Sequence, residues 1–253
     1  MLIRNKAAFS RGLLLMGSFI IVFIIFFLEV FPGSQPGQKT NGLVFADHLF
    51  NTLAKGSSNF FDNTAQDRNS VNFRIQPIKG RAIDVLVPFK ENQGEMKVLA
   101  AQLVKAAGLE VTESGNGLQV KGDLHTLLLS IIKDSASTFE NNSATVAERY
   151  GMPADKGLFI MRTWWNLGNN MIKPLQKQHM VQEANAVSAA LTRAIEPSFN
   201  FYGIEALRVA DNIPLVAGFL IFYVVYTMWY GFAIFELFEG IGLTMKKSVK
   251  KEV

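Results

Sequence analysis

Apolar residues crowd into two dense blocks, and between them they recur at helix or strand spacing. The first block covers residues 12–31. From Leu13 to Leu28 only Ser18 is polar, and the run is long enough to cross about 30 Å of hydrocarbon. Glu29 follows it, and Pro32 and Gly33 break the pattern. A basic segment before an apolar run also fits a cleaved secretory signal. This run exceeds the usual apolar core of a signal, and no small-x-small cleavage pattern follows Phe31, so it reads as a retained anchor. The second block, 213–235, passes without a charge. Asn212 is a candidate cap, and Pro214 sits in the first turn, where its missing N–H costs nothing. Tyr223, Tyr226, Trp229 and Tyr230 give this block polar tips that need hydrogen-bond partners. A neighbouring helix is the simplest supply, either the first block or another subunit.

The middle reads as a folded domain. Residues 32–42 are rich in Pro, Gly, Ser, Gln and Asn and predict a linker. Leu43, Ala46, Phe50, Leu53 and Ala54 share one helical face, with Thr40 or Asn41 to cap the helix and Gly56 to end it. Val71, Phe73 and Ile75 alternate, as do Ile83, Val85 and Val87 after a turn at Lys79-Gly80. This predicts two strands, with Pro77 at an edge or end. Met96, Leu99, Ala100, Leu103 and Ala107 mark a helix that Gly108 stops. Asn116-Gly117 between Val111 and Leu118–Val120 predicts a hairpin. A helix follows from Asp123 to about 139. The order strand, strand, helix, strand, strand, helix predicts an α+β outer domain, a small antiparallel or mixed sheet with helices on one face. Residues 158–195 are helical in pattern, with Pro174 kinking or ending a helix and Pro197 stopping the next.

The expected organisation is a basic tail (1–11), a first transmembrane helix (12–31), a linker (32–42), an α+β domain (43–157), a helical stalk or bundle (158–212), a second transmembrane helix (213–235) and a basic tail (236–253). Charge adds orientation. Between residues 29 and 212 there are 18 Lys plus Arg and 18 Asp plus Glu, so the basic balance comes from the ends. Arg4, Lys6 and Arg11 precede the first block, and Lys246, Lys247, Lys250 and Lys251 follow the second. That bias places both termini in the cytoplasm and the domain on the periplasmic or extracellular side. A bacterial inner membrane is the expected location. A balanced domain gives no footing for nucleic acid. The absence of cysteine excludes disulfides, thiolate zinc sites and iron–sulfur clusters.

Candidate chemistry is sparse. His48, His125 and His179 are isolated, and no metal spacing, phosphate loop or nucleophile elbow occurs. No cofactor or metal is expected. Trp164 and Trp165 are adjacent, so on a helix they point in different directions: either both pack in a helical core, or one is core and the other faces a partner, a lipid headgroup or a sugar. They join Tyr226, Trp229 and Tyr230 as candidate partner contacts. Glu236 and Glu239 form a candidate interfacial acidic pair, three residues apart past the second block. Asn141-Asn142-Ser143 fits an N-glycosylation acceptor, which matters only in a eukaryotic host. The leading expectation is a membrane-anchored, non-enzymatic subunit, scaffold or sensor. Its outer domain binds another protein, and the lipid bilayer, a protein partner or a second copy of the chain is its surroundings. A homo-oligomeric channel or transporter component is one alternative. An envelope hydrolase without metal is the other, with Asp84, Glu110, Glu113 and Asp123 as its candidate acids.

Overall fold

A computed structural model describes residues 3–35, 37–61 and 67–243. Lys246, Lys247, Lys250 and Lys251 lie outside the described residues, as does most of the C-terminal tail. The chain divides into two compact units, Met1–Leu53 with Leu207–Val253, and Ala54–Ala206.

The first unit is built on α1 (Lys6–Phe27) and α10 (Ile213–Gly240), both long and apolar enough to cross a membrane by length and composition. Asn5 caps α1 by accepting from the Ala8 amide at 3.1 Å. Asn212 makes no such cap on α10; its side chain donates instead to the Arg208 carbonyl at 3.0 Å. The helices pack antiparallel through small residues. A Cβ added at Gly12 would lie 2.7 Å from the Leu237 amide nitrogen, and one at Gly240 would lie 2.7 Å from the Phe9 Cα. Glycine is what lets the two backbones approach this closely. The amides of Arg4 and Asn5 donate to the Gly240 carbonyl at 2.9 and 3.0 Å, which fastens that end. After α1 the chain forms a ribbon of two-residue strands, β1 (Phe31–Pro32) paired antiparallel with β2 (Lys39–Thr40), and then enters α2 (Gly42–Ser57). Asn41 caps α2 through the Val44 amide at 2.9 Å.

The second unit is α+β. Its sheet has three antiparallel strands, β3 (Ala82–Pro88), β4 (Glu110–Ser114) and β5 (Gly117–Asp123), in the order β3-β5-β4. In β3 the residues Ile83, Val85 and Val87 are buried and those between are exposed, so one face of the sheet carries the core. That core is completed by α4 (Gly94–Ala106), α5 (Leu124–Phe139), α6 (Ser143–Arg149), α7 (Gly157–Lys177) and α8 (Val181–Ala190). The β4–β5 hairpin turns on Gly115 and Asn116, since Ser114 already pairs with Gly117. Gly115 takes φ +54° at the first turn position, the glycine-first pattern of a tight hairpin. Gly117 belongs to the strand, where an added Cβ would meet the Val87 carbonyl oxygen at 2.7 Å.

Three sequence expectations need correction. Residues Val71–Ile75 form a short helix, α3, followed by a 3-10 turn at Gln76–Ile78, and no strand. Val71, Ile75 and Ile78 are fully buried, a spacing of four and three that fits a helical face as well as Val71, Phe73 and Ile75 fit a strand. Of the two outcomes expected at Pro174, a kink or a helix end, the end does not occur: Pro174 lies inside α7, which runs three residues beyond it. Pro197 stops nothing. A π-helical turn at Leu191–Ile195 joins α8 to α9 (Glu196–Asn200), and the Glu196 amide reaches back to Leu191. The wider turn accommodates a residue with no N–H.

Candidate functional site

The most complete site in the second unit begins with how α5 ends. Asn141 adopts φ +63°, its amide bonds to the Thr138 carbonyl at 2.9 Å, and the Asn142 amide bonds to Ser137 at 2.9 Å. This is the left-handed helix terminus that glycine usually fills and asparagine can. The turn aims the Asn141 amide at two other segments. Its Oδ1 accepts from Lys55 Nζ at 3.1 Å and from the Gly203 amide at 2.7 Å, and its Nδ2 donates to the Ile204 carbonyl at 3.1 Å. The same Ile204 carbonyl accepts from Lys55 Nζ at 2.5 Å.

Lys55 is 3% exposed, which is rare for lysine. Its ammonium stands 5.0 Å from the centre of the Phe139 ring, and Phe139 packs on Phe61 at 5.3 Å. Among the described residues no carboxylate lies within ion-pair distance of it. Burial pushes the Lys55 amine below its ordinary value, while the nearby charges of Glu205 and Glu140 act the other way. A cleft of about 600 Å³ opens here, lined by Lys55, Phe61, Phe139, Glu140, Asn141 and Glu205 among others. The arrangement is a positioned cation held by neutral oxygens, beside an aromatic wall and two exposed carboxylates. It can bind charged or polar groups.

A second buried charge lies in the core. Asp134 of α5 is fully buried and accepts from the Arg149 guanidinium, from the Tyr150 hydroxyl at 2.6 Å and from Trp164 Nε1 at 2.8 Å. This ties α5, α6 and α7 together. Burial pushes the Tyr150 hydroxyl above its ordinary value, partly offset by the neighbouring Arg149 charge.

The predicted site residues fall into separate places. Trp164 is wholly buried. Trp165 is half-buried and lines a cleft of about 380 Å³ with Arg162, Asn166, Glu196, Phe199 and Asn200. In the first unit, Trp229 Nε1 donates to the Leu15 carbonyl at 3.1 Å, and Tyr226 and Tyr230 lie 4.5 and 5.1 Å from the Phe19 ring. Glu236 pairs with Arg11 at 3.0 Å, and Glu239 shares no ion pair among the described residues. The candidate acids are dispersed. Asp84 accepts from Gln119, Glu113 pairs with Lys97 at 2.8 Å, Asp123 caps α5 through the His125 amide, and Glu110 is exposed. Among the histidines, His48 is exposed, His125 is buried with Nε2 unbonded, and His179 takes φ +60° at the end of α7. Among the described residues no group of three or more His, Asp and Glu is placed to hold a metal.

Sequence reasoning missed Lys55 and Asp134, and read Asn141 only as a glycosylation acceptor. Asp134 had a readable signal, because it interrupts the apolar stripe Leu127, Leu128, Ile131 of α5 where the next core position is due. Comparison with protein-family models, curated proteins and solved structures finds no match.

Proposed function

We propose that the protein is a membrane-anchored binding subunit of the sensor or adaptor kind. In this reading α1 and α10 cross a bacterial inner membrane, both termini are cytoplasmic, and the α+β unit between them recognises a protein partner outside. The observation that carries the reading is the α1–α10 pair itself. It is antiparallel, its backbones meet at Gly12 and Gly240, and the Trp229 indole N–H finds its partner on the facing helix. Ser18 bonds back to the Leu14 and Leu15 carbonyls at 2.8 and 3.0 Å, which satisfies its hydroxyl within α1. The outward surfaces of both helices are apolar, with Ile21, Ile24, Ile221 and Tyr223 well exposed, as lipid contact requires. The basic residues near both chain ends set the orientation.

Trp165 supplies the partner surface. A half-buried tryptophan beside an arginine, in a cleft rimmed by amides, matches the composition of interface hot spots. Three experiments test the reading. Alkaline carbonate should leave the protein in the membrane, and reporter fusions should place Gly151 on the outer side and residue 243 on the inner side. Release by carbonate, or fusions reporting the same side, would overturn the anchoring. A photo-crosslinker at Asn200 in the native host should then capture a discrete partner band that Trp165→Ala removes. An unchanged band in that variant would move the interface elsewhere.

A further inference from the structure

The Lys55 cleft carries an inference that goes beyond anchoring and does not depend on it. From the charges around it, we propose that this cleft is a binding site for a small zwitterion, one anionic group and one ammonium a few bonds apart with an apolar portion beside them.

The buried Lys55 ammonium is fixed by Asn141 Oδ1 and the Ile204 carbonyl, so its position is set before any ligand arrives. Both of these partners are neutral, and among the described residues the charges of Glu140 and Glu205, exposed residues that line the same cleft, act on it. A ligand carrying only negative charge would meet Lys55 favourably and be repelled by two carboxylates. A ligand carrying only positive charge would meet the reverse. Charges of one sign a few ångströms from a partly desolvated ion count for far more than in bulk water. A species with both signs satisfies both sets: its anion on Lys55, its ammonium toward Glu140 and Glu205. Phe61 and Phe139 form an apolar wall for the remainder, and an aromatic ring also favours a ligand ammonium. The cleft volume of about 600 Å³ has room for such a molecule.

The site is also built to hold its shape. Asn141 would be simpler as glycine for the backbone turn it makes. Asparagine there engages both ends of its side-chain amide, Oδ1 with Lys55 and Gly203 and Nδ2 with Ile204, so the helix terminus and the cation are fixed by one residue.

Zwitterions of this kind come from two sources, free α-amino acids and the phosphoethanolamine headgroup of a phospholipid. The test uses the full chain in detergent and isothermal titration with L-phenylalanine and O-phosphoethanolamine. Acetate, inorganic phosphate and ethylamine serve as single-charge halves. At least one zwitterion should bind tenfold or more tightly than any half. Glu140→Gln with Glu205→Gln should weaken the zwitterion at least tenfold while strengthening acetate and phosphate. Both glutamates are exposed, so the fold is spared. Lys55→Met should abolish binding of the anionic halves; if that variant fails to fold, the glutamate pair still decides. Phenylalanine binding without phosphoethanolamine binding assigns the free amino acid. Binding of O-phosphoethanolamine, competed by nanodiscs of phosphatidylethanolamine but not of phosphatidylglycerol, assigns the headgroup. Failure of both zwitterions to saturate below about 10 mM overturns the proposal. So does acetate or phosphate binding as tightly as the zwitterion with no response to the glutamate variant, which would make this a simple anion site.

Discussion

Lys55 and Asp134 are both buried in the same α+β unit, and they are treated in opposite ways. Asp134 receives three donors, one of them the cationic guanidinium of Arg149, and every contact comes from core helices. Lys55 receives no carboxylate among the described residues and is held by an amide oxygen and a backbone carbonyl, with a cleft open beside it. A buried charge that is paired and saturated has nothing left to offer a ligand; its work is to fix the packing of α5, α6 and α7. A buried charge that is held but not neutralised keeps its field directed at whatever enters the cleft. The pairing, rather than the depth of burial, separates structural charge from recognition charge here.

Removing each charge in turn should give unequal losses of stability. Asp134→Ala leaves Arg149, Tyr150 and Trp164 without their shared acceptor. Removing one partner of a buried pair costs about 3–5 kcal/mol. Arg149 is partly exposed and can recover water, so the lower end is expected. Trp164→Phe removes a single donor from the same carboxylate and should cost about 1–3 kcal/mol. Lys55→Met removes a cation whose partners face a wet cleft, and should cost about 1 kcal/mol or less. Urea denaturation of the detergent-solubilised chain, followed by tryptophan fluorescence, measures all three. A cost for Lys55→Met equal to that of Asp134→Ala would make Lys55 a structural charge and dissolve the distinction.

The alkaline range sharpens it further, because the two neighbourhoods have opposite signs. Tyr150 has its folded value raised above the ordinary 10.0, so the unfolded chain loses this proton first and stability falls as pH rises past that point. Lys55 has its folded value lowered below the ordinary 10.5. Between the two values the unfolded chain holds more protons than the folded one, so stability rises with pH through that window. Tyr150→Phe should therefore flatten the alkaline fall, and Lys55→Met should steepen it. Thermal unfolding scanned across that range reads both slopes. Slopes that change in the same direction would contradict the environments described for the two groups.

How much of this was legible depends on which force each residue answers to. The hairpin at residues 114–117, the helices over 94–106 and 124–139, and the α+β class follow from local periodicity and turn chemistry, and the sequence carried them. The turn itself sits one residue earlier than Asn116-Gly117, because Gly117 is needed where the β3 backbone passes closely. Residues 71–78 were misread because five positions hold too few apolar residues to separate a period of two from one of 3.6. Packing of α3 against α5 and α8 decides them. Lys55 was invisible for another reason. It lies one residue off the predicted apolar face of α2, and what buries it comes from residues 139–141 and 201–206, far along the chain. Trp164 and Trp165 were separable in principle, since adjacent helical residues point apart. Which one is core required knowing where Asp134 stands.

The smallest expected effect completes the series of charges from paired and buried, through held and buried, to paired and exposed. Glu113 of β4 accepts from Lys97 of α4 at 2.8 Å and is largely exposed. The hydrogen bond from Lys97, then its charge, hold the Glu113 carboxyl below its ordinary value. By sign, a depressed carboxyl adds stability above the unfolded value of 4.5, and loses it as pH falls through the folded one. Water and salt screen an exposed pair, and such pairs contribute little. Glu113→Gln should leave the thermal midpoint unchanged within error at about 0.15 M salt, with a small acid-side difference emerging only at low ionic strength. If this variant instead destabilised the protein at high salt as Asp134→Ala does, partner geometry rather than burial would govern ion-pair worth in this fold. Lys97 would then be anchoring β4 to α4.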